Sequence, residues 1–107
     1  MNTVVLIGNA GANADVKSFE NGKVANFSLA TNERYMKGSE QVTKTDWHRV
    51  VAWGKLAEEC EALVTKGKFI KVEGKLVNRN YMNKDNQKVY ITEVQAIKVS
   101  EAGGEEN

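Results

Sequence analysis

Trp47, Arg49 and Trp53 lie at even spacing in the run Thr45-Asp46-Trp47-His48-Arg49-Val50-Val51-Ala52-Trp53-Gly54. Two indoles and a guanidinium offer chemistry in which no bond is made or broken. They present flat apolar faces on which another flat ring stacks, beside a permanent positive charge that meets a phosphate. In a β-strand the side-chain period is 2, so residues 47, 49, 51 and 53 share one side and His48, Val50 and Ala52 the other. Large aromatics in strands are usually core residues. Here that reading would bury Arg49 together with the indoles, although Val50 and Ala52 already supply an apolar face on the opposite side. The pattern therefore points to a surface for a flat, negatively charged polymer such as a nucleic-acid single strand.

Other side chains with chemical potential are isolated. His48 is the lone histidine, with no second His, Cys or spaced carboxylate to complete a metal site, so it is read as structural or as an interface residue. Cys60 has no base placed beside it and reads as a small buried hydrophobe. Asp46 and His48 share a strand face, but an acid and an imidazole without a nucleophile do not make a reaction. With no Gly-rich phosphate loop either, no catalytic residue, metal or cofactor is expected, and an enzyme is the least favoured class. Tyr35 and Tyr81 fall in polar stretches, where an exposed aromatic marks a contact more often than a core.

The chain of 107 residues is the size of one domain, and its 41% hydrophobic and 27% charged content is that of a globular protein. A single cysteine cannot form an internal disulfide, which agrees with a reducing compartment. No apolar run approaches a membrane span, and Met1-Asn2-Thr3-Val4-Val5-Leu6-Ile7-Gly8 lacks the basic start and long apolar middle of a signal peptide, so a cytoplasmic location and no membrane partner are expected. The net charge is only +1, but three of the 14 acidic residues lie in the last seven positions, leaving residues 1–100 with 15 basic against 11 acidic groups. So small an excess means that affinity for a polyanion must lean on stacking as well as on counterion release.

These residues need elements to hold them. Residues 3–8 form a β-branched run ended by Gly8. Asn21-Gly22 is a turn signal, after which 24–31 reads as a second strand with Phe27 and Leu29 toward the core. A polar stretch from Asn32 to Lys44, either a long loop or a hairpin extension, leads into the third strand, 45–53. Between Lys55 and Lys66 the period changes: Leu56, Cys60, Leu63 and Val64 make one amphipathic stripe, with Lys66 in the last turn and Gly67 as C-terminal cap. Residues 69–76 return to alternation, with Phe69 on the Lys71 and Glu73 side. A polar hairpin loop spans 78–88, and 89–99 is a last strand whose mixed apolar parity calls for a bulge or burial on both faces. Strand, strand, strand, helix, strand, strand is the order of the OB-fold, an all-β five-stranded Greek-key barrel with one helix between the third and fourth strands. We expect that domain over 1–100 and a short flexible acidic tail over 101–107.

Several segments, in order, resemble the bacterial single-stranded-DNA-binding proteins of the homotetrameric type: Val4-Val5-Leu6-Ile7-Gly8, Val24-Ala25-Asn26-Phe27-Ser28-Leu29-Ala30-Thr31-Asn32-Glu33, Thr45-Asp46-Trp47-His48-Arg49-Val50-Val51, Gly54-Lys55-Leu56-Ala57-Glu58, Lys66-Gly67 and Val72-Glu73-Gly74-Lys75-Leu76. The resemblance covers nearly the whole chain to about Val99. It implies that Tyr35, Trp47, Trp53 and Tyr81 stack DNA bases, two of them tyrosine where tryptophan is familiar. It implies phosphate contacts from Arg49, Lys55, Lys66 and Arg79, thinned around the last loop because Val77 and Asn80 are uncharged. It further implies a homotetramer in which first strands pair between subunits, with Val4, Leu6 and His48 at or near interfaces. Such proteins cover single-stranded DNA in replication, recombination and repair, and recruit enzymes through an acidic tail with an apolar tip. Glu101-Ala102-Gly103-Gly104-Glu105-Glu106-Asn107 has the acid and not the tip, the form expected of a phage or mobile-element variant or of a divergent member, so partnerships with replication and repair proteins through it are not implied. A family-like Asp-Pro turn is also replaced by Ala12-Asn13-Ala14-Asp15. The reading from a different class is an OB module of a primosome-like complex whose aromatics contact protein. That reading predicts no salt-sensitive, length-dependent binding of oligonucleotides.

Overall fold

Val4 to Ile7 are four consecutive apolar residues with high strand preference, and they open the first of six strands in the computed structural model, which describes residues 1–102. The elements in chain order are β1 (Val4–Ala10), β2 (Asp15–Phe19), β3 (Gly22–Lys37), β4 (Glu40–Trp53), α1 (Lys55–Leu63), β5 (Phe69–Met82) and β6 (Lys88–Glu101). β1 pairs antiparallel with β5, β5 with β6 and β3 with β4, while β4 and β6 run parallel. A short antiparallel pairing of Asn9 with Ala30 and Ala10 with Leu29 joins β1 to β3 and closes the ring. The barrel is therefore β1-β3-β4-β6-β5, with β2 attached outside β3. This is the five-stranded Greek-key barrel of the OB-fold, with its helix between the third and fourth barrel strands.

β2 has no counterpart in the expected element order. Its signal was the Asn21-Gly22 turn itself, because a two-residue hairpin turn needs a strand on both sides. The turn sits one residue earlier than Asn-Gly suggests: Phe19 pairs with Gly22, so Glu20 and Asn21 form the loop. The polar stretch 32–44 is a hairpin extension rather than a loose loop, with β3 and β4 paired out to Lys37 and Glu40. The β5–β6 hairpin is likewise paired out to Met82 and Lys88. Its tip is organised by Asn83, whose Oδ1 accepts from the backbone N–H groups of Asp85 and Gln87, each at 2.9 Å. β4 and β6 are parallel and each hairpin tip precedes their pairing at Val50–Val94, so both hairpins project from the same end of the barrel.

The core follows period 2. Leu29, Val50, Val72 and Ile70 are fully buried, and Phe27, Ala25, Ala52 and Val94 join them. Mixed parity in β6 does reflect a bulge: Glu73 faces Lys98 but Gly74 faces Ala96, leaving Ile97 unpaired and 72% exposed while the inward positions shift from Ala96 to Val99. Leu76, expected inward with Ile70 and Val72, is exposed because it lies where the hairpin leaves the barrel.

α1 closes the opposite end, packing on β3, β4, β6 and β2 through Ala57 and Cys60, with Leu56 and Leu63 half-buried. It ends earlier than the stripe predicts, so Lys66 and Gly67 lie beyond it. The physical reason is competition for the backbone: the carbonyl of Val64 accepts from Ala14 N at 3.1 Å, Gly67 N donates to Ala10 O at 2.8 Å, and Lys66 N donates to Asn13 Oδ1 at 2.8 Å. These bonds tie the segment to the β1–β2 connection instead of continuing the helix. At the chain end, Glu101 pairs with Ile70 and forms an ion pair with Lys68, and Ala102 N donates to Phe69 O, so the barrel extends past the expected boundary at residue 100. The rest of the expected acidic tail, residues 103–107, lies outside the described residues.

Burial among apolar groups, with Glu59 nearby, raises the Cys60 thiol from 9.0 to about 11. The folded protein should therefore resist a thiol reagent such as dithiobis(nitrobenzoate) at pH 8, and label at the rate of unfolding. Between pH 9.0 and about 11 the unfolded chain gives up this proton while the folded one holds it, so stability falls as pH rises through that window. Rapid labelling of native protein at pH 8 would contradict the burial.

Candidate nucleic-acid interface

β4 presents the face anticipated from its spacing. Val50 and Ala52 are fully buried on one side, while Trp47 and Trp53 are 63% and 58% exposed on the other, with Arg49 exposed between them. Val51, on the same side, is 5% exposed and packs into the floor of the face. Across the sheet, outward positions continue the surface. Ala30, Ser28, Asn26 and Val24 of β3 stand opposite Trp47, Arg49, Val51 and Trp53. Asp15 and Lys17 of β2 extend it on one side. Val77, Arg79 and Tyr81 of β5, opposite Glu93, Ile91 and Val89 of β6, extend it on the other.

Trp47 stands over Gly11. A Cβ at that glycine would come within 2.7 Å of Cζ3 of the indole, so the bare backbone of the β1–β2 connection makes room for the ring. The root between the two hairpins is a cleft lined by Trp47, Arg49, Leu76, Thr92 and Glu93 among others. A second cleft of about 300 Å³ lies toward β2, with Lys17, Val24, Val51, Trp53, Arg79 and Glu93 among its walls. Glu93 belongs to both clefts.

Tyr35 and Tyr81, 46% and 49% exposed, sit on the β3–β4 and β5–β6 hairpins that leave the barrel together. Lys55 opens α1 directly after Trp53-Gly54, and Lys66 lies exposed in the connection from α1 to β5. Arg79 has a partner within the chain: its Nε donates to Glu93 Oε1 at 2.8 Å and Nη2 to Oε2 at 3.3 Å. The Glu93 side chain is only 7% exposed and the Arg79 side chain 54%, so the guanidinium compensates a buried carboxylate before it meets any ligand. Nothing in the spacing of residues 79 and 93 reveals this pair, because it depends on the register of two strands.

Residues expected at subunit contacts divide by parity. Val4 and Leu6 are half-buried and pack against the core, whereas Val5 and Ile7, their neighbours, are 52% and 49% exposed. The exposed side of β1 is therefore made by Val5 and Ile7. His48 lies on the inner side of β4, half-buried, with Nε2 2.8 Å from Thr31 Oγ1, a polar contact at the rim of the core. The residues absent from the sequence reading are Phe19, Glu93 and Gly11. No apolar alternation marks Phe19, because Val16 and Phe19 have opposite parity; its one signal is the Asn21-Gly22 turn, which needs a strand on both sides.

A barrel of this topology with an aromatic and basic outer face defines an oligonucleotide-binding class of domain. Comparison with known proteins narrows it: residues 1–101 match the Single-strand binding protein family, and the chain belongs to that family. It is similar to Single-stranded DNA-binding protein 1 of Chlorobaculum tepidum, with 38% identity over 97% of this chain and 69% of that protein. Among solved structures it is similar to the Plasmodium falciparum SSB in complex with single-stranded DNA, with a TM-score of 0.86 and 33% identity over 95% of each chain.

Proposed function

We propose that this chain binds and covers single-stranded DNA with little regard to sequence, as a non-catalytic protector of exposed strands in replication, recombination and repair. The observation that carries it is the division of β4 between a side on which Val50 and Ala52 are fully buried and a side with two tryptophans more than half exposed. Stacking is sequence-tolerant because every base has a π-face. Bases stack on Trp47 and Trp53 at the centre and on Tyr35 and Tyr81 along the hairpins, while Arg49, Lys55 and Lys66 lie near phosphates. Titration of graded oligo-dT, oligo-dA and mixed sequences at two salt concentrations tests this. The expected result is salt-sensitive, length-dependent binding to all three, whereas a protein-contacting adaptor would bind none.

Arg79 contributes less charge than its position suggests. Glu93→Gln keeps the side-chain size and one acceptor but removes the compensating carboxylate. Affinity should rise, and the slope of log K against log salt should steepen by about 0.7 for one additional phosphate contact. An unchanged slope would mean that Arg79 does not face the strand.

The functional unit is a homo-oligomer, with a homotetramer as the expected state and a cytoplasmic, nucleoid-associated location in a bacterium or under a phage or mobile element acting there. Support comes from β1, where the edge of Val4–Ile7 away from β5 has no strand partner among the described residues and Val5 and Ile7 stand exposed beside it. Light scattering with and without oligo-dT gives subunit number and stoichiometry together, and a monomer at micromolar concentration would exclude the assembly.

A further inference from the structure

The face built around Trp53 does not stop at Trp53. Phe19, at the end of β2, is 60% exposed, and its ring has no place in the core cluster. By period 2 it shares the outer side with Lys17, whose neighbour across the sheet is Val24 and, beyond it, Trp53. The residue paired with Phe19 is Gly22, which puts no side chain between the ring and the indole.

Phe19 and Trp53 each line two clefts. One is the cleft on the sheet face that also holds Lys17 and Arg79. The other, about 600 Å³, lies beyond the end of β4, between the β2–β3 turn and the start of α1, and its remaining walls are Asn21, Gly22, Lys23 and Gly54. The aromatic pair is thus the saddle between the two. Gly22 and Gly54 hold φ angles of 131° and 65°, a backbone region that side chains disfavour, so the floor of the outer cleft stays open. Two rings at the mouth, an amide on the wall and a lysine at the rim match a nucleobase with its phosphate. Lys23 is held only loosely, 3.8 Å from Glu61, and Lys55 follows Gly54 directly.

Resting on the single-strand reading above, we infer that Phe19 is a fifth stacking residue and that the strand leaves the sheet face over the Phe19–Trp53 saddle, placing its next base in the cleft of Asn21 and Gly54. The occupant is a nucleobase of the bound strand, because the cleft is continuous with the stacking face through two shared aromatic rings.

The test uses wild-type protein first. Oligo-dT carrying 5-iododeoxyuridine is irradiated in the complex and the protein is digested with trypsin. Cleavage after Lys17 and Lys23 isolates Phe19 on residues 18–23, and cleavage after Arg49 and Lys55 isolates Trp53 on residues 50–55. Adducts on both peptides are expected. Adducts on 50–55 alone leave the Trp53 reading standing and overturn the extension, and binding with adducts on neither peptide overturns both. In parallel, Phe19→Ala should weaken oligo-dT binding about tenfold with unchanged circular dichroism, and Phe19→Trp should restore it. Unchanged affinity would overturn the proposal, and an altered molar mass in light scattering beside it would make Phe19 a subunit contact instead.

Discussion

Trp47→Ala lowers the affinity for oligo-dT by between about fivefold and about a hundredfold while leaving the fold intact. The range follows from a stacked base being worth roughly 1–3 kcal/mol by alanine substitution. The two effects separate because the indole is 63% exposed, so its removal empties no core space. Stability should change by only about 0.5 kcal/mol, a few degrees in melting temperature. Gly11→Val should act on the same ring from beneath. A Cβ there meets the far edge of the indole, a side chain that can rotate aside, so the loss of affinity should be smaller than for Trp47→Ala. If Trp47→Ala bound normally and Gly11→Val did not, the β1–β2 connection rather than the indole would be the contact.

Gly8→Ala has the opposite signature, a large loss of stability from one added methyl group. A Cβ at Gly8 would lie 2.0 Å from the backbone oxygen of Ala30, and neither strand has a flexible end to yield. Relief requires β1 to move away from β3, which removes the pairing of Asn9 with Ala30 and Ala10 with Leu29 that closes the barrel. The cost combines overpacking with lost backbone hydrogen bonds, about 3 kcal/mol or more, and lowers the melting temperature by at least about 12 °C. Thermal unfolding followed by circular dichroism measures it. A loss below about 1 kcal/mol would show that ring closure between β1 and β3 matters little. The two substitutions together distinguish a binding residue from a closing residue.

Much of this architecture is legible in the residue pattern because it rests on local periodicity. The outward direction of Trp47, Arg49 and Trp53 follows from Val50 and Ala52 needing the core, and the β6 bulge follows from Val94, Ala96 and Val99 being unable to share one parity. What stayed hidden depends on register or on competition between distant backbone groups. Arg79 meets Glu93 only because β5 and β6 align Arg79 with Ile91. The helix stops at Leu63 because residues 64–67 find partners in Ala10, Asn13 and Ala14. Val4 and Leu6 turn inward, and Val5 and Ile7 outward, in a run whose four apolar residues give period 2 nothing to discriminate. Phe19 is hidden because the Asn21-Gly22 turn implies a strand before it without fixing which of its residues face outward.

The chain has two tryptophans, so Trp53→Phe and Trp47→Phe each leave a single indole reporter while preserving an aromatic ring at the changed position. Titrating each variant with oligo-dT, with the fluorescence anisotropy of a labelled strand recording binding independently, tests most directly whether bases stack on the outer face of β4. Saturable quenching of Trp47 and of Trp53, each tracking the anisotropy curve, is the predicted result. Full binding by anisotropy with unchanged indole emission in both variants would contradict it.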